Sequence, residues 1–378
     1  MNLKSIILAC AFVAAQLHAA TPEVAMNAAR VPEADVVFNI SVAKISKTEF
    51  GKHALLFYEK ARARIGIEDE FEEFYALLKA FQAENITLDN LKKMEFSFFS
   101  RQYEEQEAKR GALYERLWKA PDDEKEAIRK EIDEIRNQID LPSLVFGFQF
   151  EKSLTLEAIR KLASQFFDLV SGGYLSPSFE PVENGVAWDD DELRLVLGDN
   201  RVVFFGPRPV VEAAQARSAA GTRAAESVEL KALLSEKLTQ RDAYLAVVAG
   251  KDVREAFNNL IFWEMDLEKD SVAGTQMKNA IEALQGFTVA LDCSDTMQVS
   301  IEYKFPEQKY ATFVKDFISV MAIGGIKTGL FQLTGTTLPF MDTLKVSAEG
   351  ATVTFSGAFN AKDLEMLYSA FEKTIDEF

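Results

Sequence analysis

The sequence predicts an α+β fold of two similar units, each a mainly antiparallel sheet covered by helices, with a helical hairpin inserted in the first unit. Three observations indicate this fold. Short apolar runs and amphipathic segments follow each other in the same order twice. A double glycine ends a predicted helix in each half, at Gly172-Gly173 and at Gly324-Gly325. The charged, helix-forming stretch 103–140 has no counterpart in the second half.

The chain begins with an export signal, which we assign to residues 1–20. Lys4 precedes the apolar run 5–17, and the small residues Ala19-Ala20 suit a cleavage site. The run is too short for a transmembrane helix. A lipoprotein signal at Cys10 is the alternative, although the apolar stretch before that cysteine is very short. We therefore expect an exported protein, periplasmic or extracellular.

The first α+β unit is predicted over 35–217, after a flexible lead-in at 21–34. Its opening strand, Val36–Val42, is rich in β-branched residues. The sequence Ser46-Lys-Thr-Glu49 has the spacing of a capping box, which predicts a helix start, and Thr155 is a second predicted cap. The remaining strands are predicted at Met94–Ser100, Ser143–Phe150, Val182–Trp188, Leu193–Leu197 and Arg201–Phe205, with a closing helix at Val210–Arg217.

The second unit is predicted over 241–378, after a linker and short helix at 218–240. Asp252-Val-Arg-Glu255 repeats the capping-box spacing, Pro306 is placed to begin a helix, and Asn360 is placed to cap the last one. Its strands are predicted at Tyr244–Val248, Phe287–Cys293, Met297–Phe305, Met341–Ala348 and Thr352–Phe359.

The insertion 103–140 predicts two antiparallel helical arms that meet at Pro121. Isoleucines in the second arm recur at spacings of a heptad seam. Two interpretations stay open: the hairpin buries its own seam, or it contacts an unknown protein partner or a second copy of the chain. The candidate contact residues are Tyr114, Trp118, Ile128, Ile132 and Ile135.

Charge and cysteine content exclude several classes of function. A formal net charge of −17 argues against nucleic-acid binding and against electrostatic docking to anionic lipid. Cys293 is the one cysteine beyond the predicted signal, so the mature chain is expected to form no intramolecular disulfide. Its apolar, alternating neighbours predict a buried strand thiol.

The sequence offers few candidates for catalysis or for a cofactor. His53 is the one histidine left for nucleophilic catalysis, and it lies beside apolar residues of a predicted helix. The scarcity of cysteine and histidine argues against zinc, and Asp189–Glu192 lacks the ligand spacing of a calcium loop. The double glycines end helices, so they are not phosphate loops. We therefore predict no cofactor, no metal and no enzymatic activity, while carboxylate pairs leave hydrolysis open.

Two segments carry a resemblance to a known group of proteins. The opening sequence Ala34-Asp-Val-Val-Phe-Asn-Ile-Ser-Val42 and the sequence Leu195-Val-Leu-Gly-Asp-Asn-Arg-Val-Val-Phe-Phe-Gly206 resemble those of exported bacterial proteins of unknown function with duplicated α+β units. The resemblance covers most of the mature chain and implies an extracytoplasmic location. It implies no activity, and the charged hairpin departs from its pattern.

These observations favour a non-catalytic protein of the cell envelope that works by binding or scaffolding. The 30 phenylalanines support a first alternative, a carrier of an apolar ligand such as lipid, because phenylalanine-lined helices over sheets can enclose an apolar cavity. A carboxylate-dependent hydrolase is the second alternative.

Overall fold

The computed structural model confirms the α+β fold. It describes residues 26, 30–53, 90–99, 101–138, 143–161, 163, 180–188, 193–199, 201–264, 267–268, 270–324, 327–328, 338–366 and 369. These fall into two compact units. Unit 1 comprises the described residues of Met1–Val37, Glu95–Ser164 and Ser176–Ser227, and unit 2 those of Phe38–Met94, Gln165–Leu175 and Val228–Phe378.

The described part of the chain contains twelve strands in one sheet. They are β1 (Val36–Ile40), β2 (Leu91–Phe99), β3 (Ser143–Phe150), β4 (Glu180–Val182), β5 (Gly185–Trp188), β6 (Leu193–Asp199), β7 (Val202–Pro207), β8 (Ala243–Val248), β9 (Gly286–Cys293), β10 (Thr296–Lys304), β11 (Lys345–Glu349) and β12 (Thr352–Asn360). Their order is β11-β12-β10-β9-β8-β1-β2-β3-β7-β6-β5-β4. The duplication itself stays a prediction.

The helices lie between these strands. They are α1 (Val42–Ile45), α2 (Arg101–Lys119), α3 (Asp122–Gln138), α4 (Arg208–Ala219), α5 (Val228–Leu233), α6 (Glu236–Thr239), α7 (Lys251–Asn259), α8 (Val272–Ala283) and α9 (Gln308–Phe317). Two π-helical turns, Leu260–Glu264 and Ile318–Ala322, continue α7 and α9, and Pro339–Asp342 is a 3₁₀ turn. Short helical stretches also cover 49–53, 156–161 and 361–366. Within the described ranges, no helix is both long and apolar enough to cross a membrane.

In unit 1, the inserted hairpin is formed by α2 and α3, as predicted, and the two helices pack against each other. Arg116 of α2 and Glu131 of α3 form an ion pair between the arms. The strands β3, β7, β6, β5 and β4 pair in antiparallel register.

Residues 30–34 of unit 1, the described end of the predicted lead-in, are held by contacts with distant residues. Arg30 is buried and its guanidinium binds the carboxylates of Glu95 and Glu226. The backbone N–H of Val31 donates to Ser97 Oγ at 2.8 Å. These buried charged and backbone groups have hydrogen-bond partners, and the bonds hold the segment in place. Composition alone does not reveal partners that are distant in the sequence.

Unit 2 takes in a segment that the sequence placed in the first unit. The described part of 38–53 packs with strands far along the chain: Lys44 forms an ion pair with Asp242, and the N–H of Ser41 donates to the Asp242 carbonyl. The N–H of Phe50 donates to the carbonyl of Ser294. The predicted domain bounds, 35–217 and 241–378, stay a prediction.

Helix caps test the finer predictions. The caps at Thr155 and Asn360 are confirmed, because Thr155 Oγ1 accepts from Ala158 N–H and Asn360 Oδ1 accepts from Asp363 N–H. The box at Ser46 is wrong: Thr48 Oγ1 accepts from Gly51 N–H, and Ser46 Oγ is buried without a partner in the part of the chain that the structure describes.

The predicted helix ends of the second unit also differ from the observed ones. Gly250, not Asp252, is the N-cap of α7, and it provides no side-chain cap. Helix α9 begins at Gln308, two residues after Pro306. Gly324 is helical, while Gly325 and the other double glycine lie outside the described residues, so the predicted helix stops stay predictions.

Candidate functional site: an apolar cavity in unit 2

Unit 2 encloses a cavity of about 260 Å³ between its sheet and its helices. The sheet supplies one wall, and the helices α7, α8 and α9 with the π-helical turns that continue α7 and α9 supply the others. The lining residues are Phe257, Leu260, Ile261, Met277, Ala280, Ile281, Leu284, Ile301, Tyr303, Phe305, Val314, Phe317, Ile318 and Phe355.

The sheet wall follows from the two-residue period of β10. Ile301 and Tyr303 lie on one face of this strand, and Phe305 continues the alternation just beyond its end. Phe355 of β12 lies opposite Ile301 in the antiparallel register. Tyr303 also packs edge-on against Phe257 at a centroid distance of 6.0 Å, which joins the sheet to α7.

Helix α8 forms the second wall through its helical period. Ser271 caps the helix, since its Oγ accepts from Gly274 N–H at 2.9 Å. Met277, Ala280 and Ile281 are spaced by three residues and one residue, so they lie on the same side of the helix, which faces the core. Leu284 follows just after the helix ends. Because all of these are buried, the wall is a fixed part of the core.

Both π-helical turns border the cavity. Leu260 and Ile261 come from the first turn, and Ile318 comes from the second. Single π-helical turns recur at functional sites, where the extra residue redirects side chains. Leu260 is 52% exposed, so the cavity reaches the protein surface at this residue.

The cavity is electrically neutral. No charged side chain lines it within the described residues, and Tyr303 and Met277 are the lining residues whose side chains contain an oxygen or a sulfur atom. Burial raises the pKa of Tyr303 above its ordinary value, so its phenol is protonated at neutral pH. This lining can bind an apolar group by excluding water, and it presents neither a nucleophile nor a general base.

The residues predicted as partner contacts separate into two environments on the hairpin. Trp118 is 87% exposed and Tyr114 is also exposed, one helical turn before it. Ile128 and Ile132 are buried, so their side chains contribute to the core of unit 1. The side chain of Ile135 lies outside the described residues. The contact role of this set stays a prediction.

The candidate catalytic and metal residues lie apart. His53 Nδ1 is 3.9 Å from Glu365 Oε1, at a partly exposed position. Cys293 is buried in β9, and burial, with a smaller effect of Asp242, raises the pKa of its thiol to about 11. In the described ranges no three His, Cys, Asp or Glu side chains cluster as metal ligands. Asp189–Glu192 lies outside those ranges.

Sequence reasoning raised the idea of an apolar cavity but assigned no residues to it. The period-two run Ile301, Tyr303, Phe305 and the helical run Met277, Ala280, Ile281 were the available signals. These two runs predict which face of the strand and which face of the helix are buried in a core. The gap between those faces depends on how elements distant in the chain pack, which a pattern does not contain.

Fold and cavity together define an α+β protein with a neutral apolar pocket. No family model and no curated protein matches the chain. Among solved structures, two crystal forms of TP0453, an exported protein of Treponema pallidum, are similar to it. The first matches with a TM-score of 0.40 and 8% identity over 91% of this chain and 97% of TP0453, the second with 0.38 and 9% over 91% and 96%. At this level the similarity carries no functional argument.

Proposed function

We propose that this protein is a non-catalytic, exported binding protein that holds an apolar ligand in the unit 2 cavity. The observation that carries the proposal is the cavity itself, lined by apolar side chains and open at Leu260. Binding sites for small molecules are concave and mostly apolar, with few polar groups. The predicted signal at residues 1–20 supports export, and the resemblance of the opening segment supports an extracytoplasmic location.

The size of the cavity limits the ligand. A buried apolar cavity of about 150 Å³ accommodates benzene, so the 260 Å³ of this cavity fits a larger group such as one alkyl chain or a fused ring pair. Each buried methylene contributes about 0.8 kcal/mol, and association costs at least ~4 kcal/mol. A ten-carbon chain would therefore gain about 8 kcal/mol and retain at most about 4 kcal/mol, so we expect it to bind with roughly millimolar affinity.

A neutral fluorescent probe tests this proposal. We expect N-phenyl-1-naphthylamine to bind the mature protein with one saturable site and a blue-shifted emission. Ala280 lies in the cavity wall and is buried, so Ala280→Leu adds carbon atoms to the cavity. This variant should weaken binding at least about tenfold, the loss of roughly two methylene equivalents.

The matched control is Ala283→Leu, the same substitution on the same helix at a half-buried position that does not line the cavity. It should bind the probe as the parent protein does. Urea denaturation of both variants shows whether either has lost its fold. Absence of saturable binding by the parent, or equal binding by a folded Ala280→Leu variant, would overturn the proposal.

The exposed aromatic pair of the hairpin favours a second candidate function, contact with another protein. Tyr114 and Trp118 expose large apolar side chains on α2, and aromatic residues dominate the energetics of protein interfaces. Sedimentation velocity and cross-linking from position 118 in an envelope fraction test this function. A monomer without cross-linked products would leave the hairpin as a structural insertion.

A further inference from the structure

We propose that the ligand is a single-chain carboxylate amphiphile and that the Arg254 guanidinium binds its carboxylate. This inference rests on the proposed function, and it specifies the ligand's chemical class. The apolar cavity would hold the alkyl chain, and Arg254 would pair with the charged head. No covalent step is involved.

The position of Arg254 follows from the period of α7. Arg254, Phe257 and Ile261 are spaced by three and four residues, so they share one helical face. Phe257 and Ile261 line the cavity. Arg254 therefore lies one turn toward the N-terminus of α7 on the face that forms the cavity wall.

A hydrogen bond fixes the guanidinium against the opposite wall. Arg254 Nη2 donates to the carbonyl of Leu284 at 3.0 Å. Leu284 follows the end of α8 and lines the cavity. The guanidinium is thus held beside the lining residue Leu284, between the start of α7 and the end of α8, although Arg254 itself is not a lining residue.

The same side chain has unused capacity to donate. Its Nε is buried and has no hydrogen-bond partner, and Arg254 forms no ion pair within the described part of the chain. A buried donor left unsatisfied costs about 1–3 kcal/mol. A carboxylate would accept from the guanidinium in the paired geometry that arginine favours.

The surroundings are compatible with a bound anion. Arg254 lies in the first turn of α7, where the helix dipole favours negative charge and Gly250 supplies no side-chain cap. Lys251 of the same helix pairs with Glu255. Asp252 and Glu255 are exposed, so their charges are largely screened by solvent.

Decanoate and decanol separate the head group from the chain. Both have ten carbons, and decanoate is ionised at neutral pH while decanol is neutral. Each is titrated by displacement of N-phenyl-1-naphthylamine. We expect Arg254→Gln to weaken decanoate binding at least about tenfold, the effect of one charge-assisted hydrogen bond, and to leave decanol binding unchanged.

Two further variants complete the test. Arg254→Lys keeps the charge and should recover part of the decanoate affinity. Lys251→Gln removes an exposed charge from the same turn and should change neither titration. Unchanged decanol binding also shows that the Arg254→Gln cavity is intact.

The outcomes distinguish the two proposals. If neither the probe nor decanol binds the parent protein, the proposed function fails. If both bind but Arg254→Gln leaves the decanoate affinity unchanged, the cavity holds a neutral ligand and the head-group inference is overturned. A loss of decanoate affinity confined to Arg254→Gln supports it.

Discussion

At the scale of single residues, the environment of Cys293 shows how burial governs chemistry in this protein. Its backbone N–H donates to the buried carboxylate of Asp242 at 2.8 Å, and Lys44 pairs with the other oxygen of that carboxylate. Cys293 is 7% exposed. A low dielectric and two nearby acids, Asp242 and Asp292, favour the neutral thiol over the thiolate.

The raised pKa of Cys293 predicts an alkaline loss of stability. The unfolded thiol ionises near 9.0 and the folded thiol near 11, so the folded state binds more protons between these values. Its stabilising contribution is complete below pH 9 and is lost as the pH rises toward 11. We expect the free energy of unfolding to fall by about 1–2 kcal/mol over this window, measured by urea denaturation.

The Cys293→Ala variant isolates this effect. Between pH 9 and 10 it should lose clearly less stability than the parent protein, because the parent alone has the thiol whose unfolded form ionises near 9.0. Higher pH is less selective, because the pKa of Tyr303 is raised from 10.0 by burial and the pKa of Lys44 is raised from 10.5 by its hydrogen bond to Asp242. Parallel pH profiles of parent and variant would contradict the assignment.

At the scale of elements, two glycines have opposite roles. Gly111 lies within α2, and a β-carbon there would meet no atom within 4 Å. Gly350 joins β11 to β12 with φ of +56°, the left-handed conformation that glycine favours. One substitution, glycine to alanine, therefore tests helix propensity at one site and turn strain at the other.

We expect Gly111→Ala to stabilise α2 by about 0.5–1 kcal/mol, because alanine restricts the unfolded chain and favours the helix. Gly350→Ala should destabilise the protein by about 1–2 kcal/mol, because an L-residue is strained in this conformation. Urea denaturation at one pH compares the two. A destabilising Gly111→Ala would show that α2 meets a neighbour at that glycine.

The elements also show where sequence patterns succeed. The Asn360 cap was predicted correctly because it is local: Asn360 Oδ1 accepts from Asp363 N–H, and Asp363 Oδ2 accepts from Asn360 N–H. The Ser46 box fails because the chain there is fixed from outside, by Phe50 bonding to Ser294 and Lys44 to Asp242. Capping rules consider only residues that are close in the sequence, so they cannot include such partners.

The candidate site illustrates the same limit. The faces of β10 and α8 follow from period-two and helical spacing, and both were readable in the sequence. The space between them was not, because it depends on the packing of residues such as Ala280 and Phe355, which are 75 positions apart. Arg254 was missed for a related reason, since its unpaired Nε becomes evident only when its neighbours are known.

At the scale of the whole molecule, the excess of acidic residues sets the long-range field. A net charge of −17 repels other anions at low ionic strength. Arg254 would attract a carboxylate only at short range, beside the lining residue Leu284. The net field and the local site therefore act in opposite directions on an anionic ligand.

This opposition predicts a salt effect on association kinetics. Salt shortens the screening length from about 30 Å at 0.01 M to about 8 Å at 0.15 M, which removes most of the repulsion felt by an approaching carboxylate. We expect the association rate constant of decanoate to rise at least about twofold over this range. Decanol carries no charge and should associate at a constant rate.

Stopped-flow displacement of N-phenyl-1-naphthylamine measures both rates. The Arg254→Gln variant serves as the control, because the net field is nearly unchanged while the local attraction is gone. Its decanoate association should therefore show at least as large a relative rise with salt. A decanoate rate that instead falls with salt would mean that a local positive site, rather than the net charge of the molecule, directs the ligand from a distance.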